Sequence, residues 1–206
     1  MKEGHLEFVQ RRRFYHNDLI GKEKILIALH GYGQLGQFFY RKFSSIEDQF
    51  GILIPEGPHR FYLEGSSGRV GASWMTKEWR AQDIEENNRY LLELISNIQN
   101  KHPNCALYLL GFSQGGASAA RLYEAAPGLF STLILWASVF PPDVEKNQFK
   151  ENQDLHFVIG KDDPYFDGDS KEKTIEDYRQ QGFHIHEFDG VHDIEATTLK
   201  RLLHLL

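Results

Sequence analysis

The chain has 206 residues, with 23 Lys+Arg against 29 Asp+Glu and a formal net charge of −6. That acidic balance argues against a nucleic-acid partner, because a surface that tracks phosphates needs clustered cations. With 41% hydrophobic and 25% charged residues the composition is globular, and at about 100 to 200 residues per domain the whole span 1–206 is read as one domain.

The single cysteine, Cys105, excludes an intrachain disulfide and suits a reducing compartment, so a cytoplasmic location is expected. The opening MKEGHLEFVQRRRFY mixes charged and apolar residues and does not read as a signal peptide. No stretch approaches 18 apolar residues, so a soluble protein without stable membrane insertion is expected.

In chain order, the segment 6–15 with its Arg11-Arg12-Arg13 run, followed by HNDLIGKEK, reads as an antiparallel edge hairpin leading into the first apolar strand. Its arginines are read as edge protection. Strand-length apolar runs follow at 24–29 (KILIAL), 51–54 (GILI), 106–110 (ALYLL), 132–137 (TLILWA), 155–159 (LHFVI) and 183–188 (FHIHEF). Between them lie segments of helical spacing at 37–49, 81–100, 114–125, 171–180 and 194–205. The clearest is 81–100, where Ile84, Leu91, Ile95 and Ile98 share one stripe. Apolar strands alternating with amphipathic helices imply a three-layer α/β/α sandwich, a mostly parallel sheet with an antiparallel N-terminal edge hairpin. The long connection 55–80 makes its aromatics Phe61, Tyr62 and Trp74 candidates for a substrate pocket. The connection 138–154 leaves no room for a large lid.

The chemistry concentrates in LYLLGFSQGGASAARLY. Here a strand runs through Gly111-Phe112-Ser113-Gln114-Gly115 directly into a helix of small residues, the G-x-S-x-G pattern in strand-turn-helix context. A serine on so sharp a turn needs neighbours without Cβ atoms, so Ser113 is the candidate nucleophile. Its hydroxyl requires a histidine to take the proton and a carboxylate to orient that histidine, in the order serine, acid, histidine. His156, His184 and His186 fall in predicted strands and His204 ends the last helix, which leaves His192, in the loop FDGVHDIEA, as the base. The strand LHFVI empties into Gly160-Lys161-Asp162-Asp163-Pro164. Either aspartate could serve, and Asp163 is favoured because Pro164 biases it to an extended backbone. The oxyanion requires two amides, assigned to Gln114 at the start of the helix and Tyr32 in His30-Gly31-Tyr32-Gly33-Gln34. His30 is read as a buried support for that loop.

With HGYG, GFSQGG, GKDDP and GVHDI in this order, the chain resembles the α/β-hydrolases, and more closely the phospholipase/carboxylesterase family that includes the acyl-protein thioesterases. The resemblance spans roughly 24–206 and includes IPEGP and GASWM. It implies the α/β-hydrolase fold, a Ser113, Asp163 and His192 triad, and an oxyanion hole from Tyr32 and Gln114. Two positions depart from the family's habit. Gln34 stands where an acidic residue is frequent, and Asp193 follows the histidine.

The expected activity is therefore that of a serine carboxylesterase acting on small carboxylic esters, with no cofactor and no metal. Acyl-thioester or lysophospholipid hydrolysis on the same triad is the alternative within that class. The rivals outside it are a non-catalytic binding module on the same fold and a metal-dependent hydrolase using His184-x-His186. The expected partner is a small-molecule ester, and a homodimer is left open.

Overall fold

The computed structural model describes residues 1–145, 149 and 154–204. Its strands are β1 (Phe14–His16), β2 (Lys24–Leu29), β3 (Gly51–Pro55), β4 (His59–Glu64), β5 (Ser67–Ser73), β6 (Ala106–Phe112), β7 (Thr132–Trp136), β8 (Asp154–Gly160) and β9 (His184–Phe188). The helices are α1 (Gly36–Phe39), which runs into a 3-10 turn at Tyr40–Phe43, then α2 (Arg80–Lys101), α3 (Gln114–Ala125), α4 (Gly168–Gln180) and α5 (Ala196–Leu202). Among the described residues seven strands form one sheet in the order β1-β3-β2-β6-β7-β8-β9, and β4 and β5 pair separately. Only the β1 pairing in the large sheet is antiparallel, so the carboxyl ends of β2, β6, β7, β8 and β9 share one edge.

The apolar runs explain this order. Every residue of β3 and β7 is buried, and all but the first of β2, which suits strands covered on both faces. Each fully buried Leu or Ile there contributes about 1.5–3 kcal/mol. At the edge, β9 is only partly buried, with Phe188 its one buried residue. The α2 stripe faces inward through Leu91, Leu94, Ile95 and Ile98, with Ile84 only half-buried near the exposed first turn.

Several expectations need correction. The N-terminal edge element is not a hairpin with β2: only Phe14–His16 is strand, and it pairs with β3 because β2 already lies between β3 and β6. Leu6, Phe8 and Val9 ahead of it are exposed. Of the arginines, Arg13 does not guard an edge. It donates from Nη2 (2.7 Å) and Nε (3.0 Å) to the buried Glu56, which also accepts from Arg60 Nε (2.8 Å) and the Gly36 amide (3.0 Å). Burial would raise the Glu56 carboxyl, and hydrogen bonds from Arg60 and Arg13 reverse that and hold it below its ordinary value.

The segment 37–49 is not one helix. Phe39, Phe43, Ile46 and Phe50 are buried at helical spacing, yet α1, the 3-10 turn and successive tight turns deliver them. The long connection 55–80 contains the β4–β5 hairpin, closed at Gly65 with φ +65°. At the other end α5 is shorter than 194–205. It begins after Glu195, whose carboxylate accepts from the amides of Thr197 and Thr198, and residue 205 lies outside the described residues. The connection 138–154, read as too short for a lid, also lies partly outside them.

His156, His184 and His186 occupy β8 and β9 as expected, and the register puts all three on one face of the sheet. His156 Nδ1 and His186 Nε2 are 2.9 Å apart, and Asp154 Oδ1 lies 2.8 Å from His156 Nε2. Burial pushes His156 down despite Asp154, and burial together with His156, His184 and Arg201 pushes His186 down to about 4. An unfolded histidine titrates near 6.5. Below that pH the unfolded chain binds protons that these folded histidines refuse, so their contribution is full above about pH 6.5 and is lost as pH falls towards 4. The urea midpoint should therefore be lower at pH 5 than at pH 7, and His186→Gln should remove part of that difference. Asp143 and Glu195, both held at about 2, act only at more acidic pH.

Candidate active site

Ser113 lies between β6 and α3 with φ 53° and ψ −119°, a strained backbone for a residue with a Cβ. Its amide donates to Trp136 O (2.9 Å), and its carbonyl accepts from the Gly116 amide (2.9 Å). The neighbouring glycines are required by contact: a Cβ on Gly111 would sit 2.4 Å from Gly115 O, and one on Gly115 would sit 2.2 Å from Leu29 O. Strand and helix thus approach backbone to backbone, and the serine side chain projects half-buried at the sheet edge.

Past β9, His192 donates from Nδ1 to Asp163 Oδ2 at 2.7 Å. The Asp163 side chain is fully buried, and its other oxygen accepts from the Tyr165 amide (3.0 Å), which aims the carboxylate. Asp162 is exposed. The imidazole lies between the ring of Phe112, the residue before the serine, at 4.8 Å, and that of Tyr165 at 4.5 Å. Among the described residues the Ser113 hydroxyl takes no hydrogen-bond partner. Hydrogen bonds of this kind are commonly loose without substrate and tighten in the complex.

The loop after β2 docks on β5 like a short strand, through Gly33 N to Ala72 O (2.9 Å) and Ala72 N to Gln34 O (3.1 Å). Gly31 N donates to the Gln34 side chain (2.9 Å), and Gln34 N to Gly31 O (3.2 Å). The amides of Gly31, Gly33 and Gln34 are thereby engaged, while that of Tyr32 between them has no partner among the described residues. Gln34 thus does as an amide what an acidic residue would do there, accepting from the loop. The Gln114 amide opens α3 and so has no carbonyl within its own helix. Its side chain bonds Trp74 N (3.1 Å), Ser73 Oγ and Met75 O (3.1 Å), which ties the serine turn to the end of β5.

His30 is a support, as the sequence suggested. It is fully buried, donates from Nδ1 to Gly31 O (2.8 Å) and accepts at Nε2 from Gly57 N (2.9 Å), a neutral imidazole that burial holds below its ordinary pKa. Trp74 is also fully buried, its indole donating to His30 O (2.8 Å), so it supports the loop from beneath. Alternation along β4 separates the other two aromatics. Phe61 meets Tyr32 with ring centroids 5.0 Å apart, while Tyr62 points to the opposite, exposed side. Tyr32, Val139, Tyr165 and Val191, on the loops after β2, β7, β8 and β9, are all exposed along the same edge.

Three features escaped the sequence reading: the Gln114 side-chain clamp, the Glu56 arginine cluster and an ion pair between Lys42 and Asp193. Asp193 had stood out only as an unusual neighbour for the histidine. No group of three or more His, Cys, Asp or Glu among the described residues is arranged to hold a metal ion. No helix among them is long and apolar enough to cross a membrane.

A mostly parallel sheet with a strained serine at a strand-to-helix turn is the architecture of an α/β hydrolase, and solved structures of that kind match it. Esterase PE8 is similar at 17% identity and a TM-score of 0.70, over 96% of this chain and 100% of that one. A carboxylesterase from Bacillus cereus is similar at 12% identity and 0.66, over 95% of each chain. Zea mays acyl-protein thioesterase 2 is similar at 17% and 0.64, over 92% of this chain and 95% of that one. At such identities the likeness carries the fold alone. The family is set by the sequence itself: the model of the serine hydrolase (FSH1) family matches residues 20–198, and the chain belongs to that family. No curated protein matches it in sequence.

Proposed function

We propose that this serine hydrolase is a carboxylesterase of small esters that works through an acyl-enzyme on Ser113, Asp163 and His192. The observation that carries the reading is the 2.7 Å bond from His192 Nδ1 to the buried Asp163, with the imidazole packed on the residue next to the strained serine. With Nδ1 committed as donor, Nε2 is left as the base. Ser113 Oγ attacks the ester carbonyl as its proton passes to Nε2, and the tetrahedral oxyanion is received by the Tyr32 and Gln114 amides. The imidazolium then protonates the leaving alcohol, and water, activated in the same way, releases the acid and restores the serine.

The exposed Tyr32, packed on the half-buried Phe61, with the exposed Tyr165 and Val191 across the edge, offers apolar surface to an acyl or alcohol group. We carry this over as a role for Phe61, and not for Trp74 or Tyr62. A thioester would be opened by the same groups. The reading further takes 1–206 as one domain in the cytoplasm, with a small-molecule partner.

The reading is tested by labelling with a fluorophosphonate, which phosphonylates an activated serine, and mapping the adduct. Stoichiometric modification of Ser113 is expected, with none in Ser113→Ala. An adduct on another residue, or undiminished labelling of Ser113→Ala, would overturn it.

A further inference from the structure

We propose that Lys42 and Asp193 are a positioning pair that holds the base loop against the segment carrying the oxyanion loop; this rests on the triad reading above. Lys42 Nζ donates to Asp193 Oδ2 at 2.5 Å, joining positions 151 residues apart in the chain. Asp193 immediately follows His192, and each of its polar groups is engaged. Oδ1 accepts from Ile194 N (2.8 Å), its carbonyl accepts from the Trp136 indole (2.9 Å), and its amide donates to Val191 O (2.8 Å). The residue after the base is thus held by three separate parts of the molecule.

Lys42 is equally well placed at the other end. It sits in the 3-10 turn that continues α1, directly after the loop bearing Tyr32. Beside it Phe39 and Phe43 are buried with centroids 5.1 Å apart, and Phe39 faces His30 at 6.4 Å and Phe112 at 6.1 Å. Phe112 in turn underlies His192. The ion pair therefore closes a clasp on the outside of a ring ladder, Phe39 to Phe112 to His192, that runs through the inside. Both members are more than a third exposed, so the pair adds little to overall stability. Its effect is on geometry, where an error of about 1 Å at a reacting group can cost a factor of about 100 in rate.

Charge supplies a second signature. The charged or titratable groups around the imidazole are Asp163 on Nδ1, Tyr165 on one face and the Lys42–Asp193 pair one residue along. Removing Lys42 leaves an uncompensated anion beside the base, and removing Asp193 leaves a cation. The two substitutions therefore act on the developing imidazolium with opposite signs.

The test uses the full chain and p-nitrophenyl acetate. Lys42→Met, which keeps the apolar stem, and Asp193→Asn, which keeps the cap on Ile194, should each lower kcat about tenfold with KM within about twofold and little change in melting temperature. The double variant should be no worse than the worse single, and Lys42→Arg should restore most of the rate. The acid limb of the kcat/KM profile should move up in Lys42→Met and down in Asp193→Asn. If both singles keep wild-type kcat while Ser113→Ala is inactive, the pair is overturned and the triad stands. Losses that multiply in the double, with neither limb moving, also overturn it. If Ser113→Ala itself stays active, the reading beneath the pair fails.

Discussion

Ser113→Ala and His192→Ala should each lose about 10⁴- to 10⁶-fold in turnover of p-nitrophenyl acetate, with melting temperatures close to that of the parent. The side chains are only partly buried and sit on loops at the rim of the sheet, so their removal leaves the core strands untouched. The two losses should not add, because neither group works without the other. Asp163→Asn should cost about 10⁴-fold, since an amide can present its NH₂ to Nδ1 and select the wrong tautomer. Asp162→Asn should stay within a few-fold, because that side chain is exposed and only its amide is used, donating to Gly190 O (3.0 Å). Steady-state kinetics with circular dichroism on the four variants decide the point. A severe Asp162→Asn beside a mild Asp163→Asn would move the acid by one position.

Among glycine-to-alanine changes, Gly115→Ala should show the largest stability loss, because its added Cβ meets backbone most closely. The new Cβ would stand 2.2 Å from Leu29 O and 2.5 Å from His30 O, main-chain atoms at the last residue of β2 and just past it. Relief requires α3 to lift off the sheet, and overpacking of this kind costs about 3 kcal/mol. For a chain of this size that lowers the melting temperature by roughly 6–12 °C. The same lift carries the Gln114 amide away from the serine turn, so kcat should fall together with stability. Gly21→Ala is the control: open space surrounds it, and only its φ of +73° opposes a side chain, at about 1 kcal/mol with unchanged activity. Thermal melts and kinetics on both variants measure this, and a Gly115→Ala that melts with the parent would show that strand and helix do not meet there.

The parallel core was legible because its strands are buried on both faces, which writes them as unbroken apolar runs with little ambiguity. The segment 37–49 misled for a related reason. Buried positions spaced by three and four are what a helix produces, but successive tight turns bury Phe39, Phe43, Ile46 and Phe50 equally well. The β4–β5 hairpin was hidden in a connection of mixed composition, where burial alternates but hydrophobicity hardly does, as in HRFYLE. Arg13 read as a surface charge because nothing local announces its partner, Glu56, which lies 43 positions away.

By itself the sequence determined which residues could do the chemistry. The serine turn, the glycines around it, and an acid and a histidine at strand ends are local demands of backbone geometry, and local demands are written locally. Tertiary structure alone decided where the aromatics of the long connection go, with Trp74 sealed under the loop after β2 and Phe61 packed on Tyr32. It also decided which charges meet beside His192, through the ion pair of Lys42 and Asp193. Those choices depend on contacts between segments far apart in the chain, and side-chain spacing within one segment carries no record of what another will bring against it.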